Sequence, residues 1–223
     1  MTLGYRTDFQ RLLQALQDDV LTLGSMVEKA LLKAVDALKR RDLETSRRII
    51  EGDTLIDQKR YEIEERCIDL IATQQPMARD LRTIVAILYI CNELERMGDY
   101  AEGIAKISLM MGEDPPIKPL IDIPRMAERA TRMMRDSLDA LVQRDVDKAI
   151  QVCKDDDEVD ALYDQVYREL LTFMIQDPKT IQRATYLLWV AHNLERTADR
   201  ATNIGERVIF LVTGKLGDFA STY

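Results

Sequence analysis

Residues that break helices are scarce in this sequence, which has six prolines and nine glycines among 223 residues. Aromatic residues are also few, with four phenylalanines and one tryptophan. Since Leu, Ala, Ile, Glu, Arg and Asp dominate instead, the composition favours helix over sheet. The three cysteines, Cys67, Cys91 and Cys153, form no CxxC pair and lie in partly apolar helical patterns. This placement is typical of buried thiols in a reducing compartment.

Long basic runs and long apolar runs are both absent. No basic run exceeds Lys39-Arg40-Arg41 and the formal net charge is −8, which argues against a nucleic-acid-binding face. The longest apolar stretch, residues 84–91, is far shorter than the ~20 residues that a membrane-spanning helix needs. The N-terminus lacks the basic region and apolar run of a signal peptide. We therefore expect a cytoplasmic protein that reaches a membrane only through partners.

Two kinds of break divide the otherwise helical pattern. Residues 112–119 contain Gly112 and three prolines, so this central stretch cannot be helix. Shorter breaks occur at Arg41-Asp42, at Gln74-Gln75-Pro76, and at their counterparts in the second half. The pattern predicts six helices and no strands. Their expected bounds are about 7–40, 43–73, 76–111 and 124–143, then from the Arg144-Asp145 turn to Gln176, and from the Asp177-Pro178 break to about Gly214.

The two halves of the chain repeat each other. Asp53 matches Asp156 and Asp57 matches Asp160 without a gap, and a small deletion near Pro178 restores the later match. A repeat of about half the chain indicates a duplicated domain, and long helices joined by short turns pack antiparallel. We predict an all-α fold of two three-helix bundles. The expected units are residues 1–112, a linker at 113–123, a second repeat at 124–214 and a tail at 215–223.

Each half carries a Glu and an Asp four residues apart in one motif, LERMGD at residues 94–99 and LERTAD at 194–199. Such spacing stacks two carboxylates on one helix face, where they repel by a few tenths of a kcal/mol. On a helical wheel these acids flank the apolar stripe of the third and sixth helices, and further acid pairs lie beside the stripes of the second and fifth. The acids are Asp53, Asp57, Glu95, Asp99 and Glu102 in the first half, and Asp156, Asp160, Glu195 and Asp199 in the second. In the second half Thr202 stands at the position of Glu102, with Asn203 and Glu206 beside it.

Carboxylates on a partly buried face must be protonated, paired with a cation side chain, or bound to metal. Oxygen ligands from two helices suit hard cations such as Fe, Mn or Mg, whereas Zn would more often recruit His or Cys and here finds His192 alone. The alternatives are a solvated face or a salt-bridge network with neighbouring arginines. The arginines near these acids are Arg60, Arg82, Arg96 and Arg196. His192 itself fits a structural role better than a ligand role.

Four segments resemble the PhoU family. They are residues 75–82 (QPMARDLR), 94–102 (LERMGDYAE), 194–204 (LERTADRATNI) and 210–214 (FLVTG). The resemblance covers nearly the whole chain. It implies two three-helix bundles related by pseudo-symmetry, and acidic motifs that hold multinuclear iron clusters or other divalent metals (Mn, Mg, Zn) on the bundle surface. The implied ligands are the nine acids above, with Asn203 and Glu206 as additions.

The resemblance also implies a function, namely negative regulation of phosphate uptake and of the phosphate regulon. Members act between the phosphate ABC transporter ATPase and the sensor histidine kinase, are not known as enzymes, and are commonly homodimers. Two other functions compete with this one. A metal-free helical scaffold would pair its acids with arginine, and a ferritin-like di-metal protein would need ExxH motifs, which the sequence lacks. The sequence also lacks a nucleophile with a partner base and a glycine-rich phosphate loop.

Overall fold

The computed structural model describes residues 2–215, and side chains from residue 8 onward; most of the predicted tail, residues 216–223, lies outside this range. Within it the chain forms six α-helices and no strand, as predicted. A short 3₁₀ turn, Pro178–Thr180, follows the fifth helix. The helices are α1 (Thr2–Arg40), α2 (Leu43–Gln74), α3 (Arg79–Met111), α4 (Asp122–Gln143), α5 (Val146–Gln176) and α6 (Ile181–Thr213).

The second helix of each half begins in the same way. The Asp42 carboxylate accepts a hydrogen bond from the Thr45 backbone N–H at 2.9 Å, and Asp145 accepts one from Lys148 at 3.0 Å. Such a cap contributes about 1 kcal/mol. The residues before these caps have positive φ, 60° at Arg41 and 55° at Arg144, which ends the preceding helix. The duplication visible in the sequence is therefore repeated in the local backbone.

Two predicted helix starts are displaced. The third helix begins at Arg79 and not at Pro76, because Ala78 has φ 48° and interrupts the helical path. The fourth begins at Asp122 and not at Pro124, which places the proline in the first turn, where a missing N–H leaves no hydrogen bond unmade.

Helices α1, α2 and α3 pack together, α4, α5 and α6 pack together, and the two bundles meet mainly where α3 contacts α6. A continuous apolar core runs through both bundles, with Leu23, Ile63 and Leu94 fully buried in the first and Met126 and Leu194 in the second. Among the described residues no helix is both long and apolar enough to cross a membrane.

Two glycines let the acid-bearing helices approach each other closely. A Cβ at Gly98 on α3 would lie 3.0 Å from the Ile56 side chain of α2. A Cβ at Gly205 on α6 would lie 3.0 Å from the Ala149 carbonyl oxygen of α5. The glycine in the motif LERMGD thus has a packing role, since it brings α3 against the helix that carries the other acid pair.

A buried polar contact joins the two repeats. The Glu93 carboxylate on α3, 3% exposed, accepts hydrogen bonds from Asn203 Nδ2 at 2.9 Å and from Arg200 Nη1 at 3.3 Å, both on α6. Arg200 also donates to the Tyr100 hydroxyl at 3.3 Å. Breaking a buried ion pair from one side is costly because the remaining partner is left uncompensated.

We expect Glu93→Ala to lower the free energy of unfolding by about 2–3 kcal/mol, because Arg200 and Asn203 lose their shared acceptor. Urea denaturation followed by circular dichroism measures this. Asp36→Ala is the matched control, since Asp36 pairs with Arg40 at 2.9 Å on the exposed surface and should cost less than about 0.5 kcal/mol. Equal losses in the two variants would contradict a special role for the contact between the repeats.

Candidate metal centres

The first cluster consists of five acids from two neighbouring helices. Asp53 and Asp57 lie one turn apart on α2, and Glu95, Asp99 and Glu102 lie on consecutive turns of α3. The structure brings them together: Glu102, Asp57 and Asp99 all act electrostatically on Asp53, and Asp57 acts on both Glu95 and Asp99. The predicted convergence of the two helices' acids is therefore present.

The second cluster is built in the same way in the other repeat. Asp156 and Asp160 come from α5, and Glu195 and Asp199 come from α6. The charges of Asp160, Asp199 and Glu195 all act on Asp156. Both clusters are semi-exposed, since the side chains of Glu95 and Glu195 are each 20% exposed. A cation from solvent can reach them without the helices separating.

Burial and mutual repulsion disturb the ionisation of the first cluster. Burial, followed by the charges of Glu102, Asp57 and Asp99, raises the pKa of Asp53 to about 6. The pKa values of Glu95 and Asp99 are also raised, first by burial; the charge of Asp99 then adds to the shift of Glu95, and the charge of Asp57 adds to that of Asp99. The site therefore disfavours its own ionised state, which a bound cation would reverse.

Cationic side chains relieve part of the first cluster. Arg60 Nε lies 3.9 Å from Glu95 Oε1, although Arg60 also pairs with Glu64 at 2.7 Å. Lys106 pairs with Glu102 at 2.5 Å. The predicted pairing of acids with arginine thus holds in part for Glu95, whereas Glu102 is paired with a lysine.

In the second cluster, cationic side chains compensate less of the negative charge of the acids. In the register of the repeat, Tyr163 occupies the position of Arg60, so the second cluster has no counterpart of that arginine. Burial, and then the charges of Asp160 and Asp199, raise the pKa of Asp156 to about 7. His192 Nδ1 lies 3.5 Å from Glu195 Oε2 without making a hydrogen bond to it, and Arg196 pairs with Asp199 at 2.5 Å.

Three buried oxygens at the second cluster lack a hydrogen-bond partner among the described residues. They are Asp156 Oδ1, Glu195 Oε2 and Thr202 Oγ1. Buried acceptors without a partner are costly, so this set is the structural feature that best fits the binding of a cation. In the sequence Thr202 stands in place of an acid; its position, equivalent to Glu102, is the signal for its hydroxyl.

Two of the predicted ligands are placed differently from the rest. Asn203 donates its amide to Glu93 in the contact between the repeats, so it faces α3 and not the second cluster. We therefore leave it out of the proposed ligand set. Glu206 lies near Cys153, whose thiol pKa is raised to about 12 by burial and then by the charges of Glu206 and Asp156. This places Glu206 at the edge of the second cluster.

The side chains are not arranged around a single point. Among residues 8–215, no group of three or more His, Cys, Asp or Glu side chains is positioned to hold one metal ion. Carboxylate side chains rotate easily on a fixed helix, so binding of a cation at either cluster requires such rotation, with water completing the coordination. The donor chemistry fits a hard cation, and the present rotamers do not yet enclose one.

The fold and these clusters define a class: a tandem pair of three-helix bundles, each with a carboxylate cluster between its second and third helices. The sequence profile of the PhoU domain matches residues 20–108 and again residues 123–208. The chain belongs to the PhoU family, and its two halves are two copies of the PhoU domain.

Individual relatives agree with this assignment. The chain is 41% identical over 214 residues to the phosphate-specific transport system accessory protein PhoU homolog of Clostridium acetobutylicum, covering 96% of this chain and 98% of that protein. It is 41% identical to the homolog of Aquifex aeolicus over 92% of each chain. The crystal structure of PhoU from Pseudomonas aeruginosa superposes with a TM-score of 0.88 at 34% identity, over 93% of this chain and all of that one.

The raised pKa of Asp156 predicts a pH-dependent stability in metal-free protein. In the unfolded chain this carboxyl ionises near pH 4, whereas in the folded chain it holds its proton to about pH 7. Its contribution to stability therefore falls as the pH rises from about 4 to about 7. The free energy of unfolding of Asp156→Asn should therefore rise relative to that of the wild type over this pH range. At pH 8 it should exceed the wild-type value by about 1–2 kcal/mol, after allowance for solvent screening.

Thermal unfolding in the presence of a chelator, at several pH values, measures this difference. Asp69→Asn is the control, because Asp69 is exposed on α2 outside both clusters. The account of the second cluster would be contradicted if the stability difference between Asp156→Asn and the wild type did not change between pH 4 and 8. It would also be contradicted if Asp69→Asn showed the same pH-dependent difference.

Proposed function

We propose that this protein is an accessory regulator of phosphate transport that represses phosphate uptake and phosphate-regulon signalling when phosphate is plentiful. Support comes from membership of the PhoU family and from relatives whose names place them in the phosphate-specific transport system. The protein would act in the cytoplasm as an adaptor between the ATPase of the phosphate ABC transporter and the sensor histidine kinase, and would reach the membrane only through them. It would be a homodimer and not an enzyme.

Divalent cations, iron above all, would bind at the two clusters. The observation that carries this is the set of unpartnered buried oxygens at Asp156, Glu195 and Thr202. The first cluster would use the five acids of α2 and α3, and the second would use Asp156, Asp160, Glu195 and Asp199, with Glu206 at its edge. A bound cation would supply positive charge that neutralises the carboxylates, and so would hold α2 to α3 and α5 to α6.

Large apolar side chains left exposed on the helices support an adaptor role. Leu55 and Ile68 on α2, and Trp189 on α6, are between 48% and 57% exposed. Such residues are enriched where proteins meet partners. They are spread over more than one helix face, which suits a protein that contacts more than one partner.

A metal-free scaffold is the second candidate function. The pairing of Arg196 with Asp199 and of Lys106 with Glu102 favours it, because these contacts compensate acids without metal. The two candidates differ in what removal of an acid does. In the scaffold it removes repulsion, whereas in the metal protein it removes a ligand.

The combined variant Asp99→Ala with Asp199→Ala should bind Mn²⁺ at least tenfold more weakly than the wild type, a difference of about 1.4 kcal/mol per site. The reason is that each cluster loses an acid that lies between its two helices. Isothermal titration with Mn²⁺, and elemental analysis of protein purified from its native host, measure the effect. Oxygen consumption on addition of Fe²⁺ tests for ferritin-like chemistry in parallel.

The matched control is Glu65→Ala with Asp69→Ala, which removes two exposed acids one turn apart on α2. Equal metal content in the wild type and the Asp99/Asp199 variant would count against the proposed ligands and in favour of the scaffold.

Deletion of the gene should make a phosphate-starvation reporter active even at high phosphate, because the repressing adaptor is lost. A plasmid carrying the wild-type gene should restore phosphate control, and one carrying the Glu65/Asp69 control variant should do the same. Reporter activity is measured in high- and low-phosphate medium. A deletion strain whose reporter still responds to phosphate would overturn the regulatory assignment.

A further inference from the structure

A groove between α1 and α2 in the first repeat has an apolar floor and is empty of side chains. The floor is formed by Met26 and Ala30 of α1 and by Ile49 and Ile56 of α2. Gly52 leaves the centre open, since a Cβ there would meet nothing within 4 Å. The cavity volume is about 220 Å³, which accommodates one large apolar side chain and not a nucleotide-sized ligand.

The rim of this groove is basic, although the whole chain has a net charge of −8. Lys29 and Lys33 lie one turn apart on α1, and Arg48 faces them from α2. Among the described residues neither lysine forms an ion pair, and Arg48 has exposed contacts with Glu44 at 3.8 Å and with the Thr45 hydroxyl at 3.4 Å. Asp53 is the acid among the lining residues, and it belongs to the first carboxylate cluster.

The second repeat provides an internal comparison, because larger and paired side chains occupy the equivalent positions. In the register that pairs Asp53 with Asp156, the equivalents are Arg129 for Met26, Arg132 for Lys29, Met133 for Ala30, Asp136 for Lys33, Gln151 for Arg48, Asp155 for Gly52 and Glu158 for Leu55. Met133, which is larger than Ala30, is 2% exposed. Arg129 pairs with Glu158 at 3.1 Å from one helix to the other, and Gln151 donates to Asp155 at 2.7 Å.

The differences in side-chain size and charge between the repeats are therefore concentrated at the residues that line the α1–α2 groove. The surrounding core positions keep their burial, as Leu31 and its equivalent Met134 show, both at 0% exposure. The three-helix bundle itself therefore does not require an open groove with a basic rim, since the other repeat carries larger and internally paired side chains at the equivalent positions.

We propose that the α1–α2 groove of the first repeat binds an acidic peptide segment of a partner protein, with one large apolar side chain of that segment on the floor. Flanking carboxylates of the segment would pair with Lys29, Lys33 and Arg48. The apolar floor provides the anchor, and the charge of the rim selects acidic over basic segments. The biological use of this site rests on the proposed adaptor role, and it names one docking face for that role.

Selection from a phage-displayed library of random 12-residue peptides tests the proposal on the full-length protein. Peptides enriched on the wild type should carry two or more Asp or Glu residues around a Leu, Phe or Met. Fluorescence anisotropy of the best labelled peptide should show at least tenfold weaker binding to Ala30→Met, which gives the groove the larger side chain that Met133 provides in the second repeat. The combined variant Lys33→Asp with Arg48→Gln should also bind at least tenfold more weakly.

Two further measurements keep the result interpretable. Circular dichroism melting of each variant checks the fold, and Arg132→Ala on the equivalent face of α4 should leave peptide binding unchanged. Selected peptides without acidic bias, no enrichment at all, or equal binding to Ala30→Met would each overturn the proposal. Loss of phosphatidylglycerol vesicle binding in Ala30→Met, without any acidic peptide selected, would overturn it in favour of a lipid ligand. None of these outcomes depends on the phosphate-starvation reporter, so the groove and the regulatory role fail separately.

Discussion

The crowding of like-charged carboxylates between two packed helices is the constraint on which the rest of this structure depends. In each repeat, acids one turn apart on one helix face acids one turn apart on the next, and Gly98 and Gly205 let the helices that carry them pack closely. Burial then raises the pKa of Asp53 to about 6 and that of Asp156 to about 7. Such an arrangement is tolerated only with protons, cationic side chains or metal ions.

The two repeats differ in how far other groups compensate the negative charge of their acids. The first places Arg60 and Lys106 near its acids, whereas the second has Tyr163 in the position of Arg60 and leaves buried oxygens of Asp156 and Glu195 without a hydrogen-bond partner. A second asymmetry lies beside the first cluster, where the first repeat has an open groove lined in part by Asp53, whereas the second repeat carries the buried Met133 at the position of Ala30. After duplication, each half has therefore kept the acid pairs but changed what surrounds them. The contact of Glu93 with Arg200 and Asn203 holds these unequal halves together.

Most of the fold follows from local sequence signals. Asp42 and Asp145 cap helices, prolines end them, and the apolar period places the core, so six helices in two repeats could be predicted. The face of each acid could also be predicted, because a helical wheel gives directions around one axis. It does not give the neighbours across an interface. For this reason Asn203 was expected at the metal site but contacts Glu93, and the unpartnered hydroxyl of Thr202 was not anticipated. The helix starts at Arg79 and Asp122 depended on a positive φ at Ala78 and on the tolerance of Pro124 in a first turn, which composition does not specify.

The central claim is that cations reside between α2 and α3 and between α5 and α6. Anomalous diffraction from crystals grown with Mn²⁺ tests this most directly, because it locates the metal without assuming its ligands. The account predicts anomalous peaks within coordination distance of carboxylate oxygens from both helices of each pair, with Asp156 and Glu195 turned toward the peak in the second repeat. Peaks confined to surface acids outside the two clusters, or clusters whose acids remain paired with Arg60 and Arg196 at saturating Mn²⁺, would contradict it.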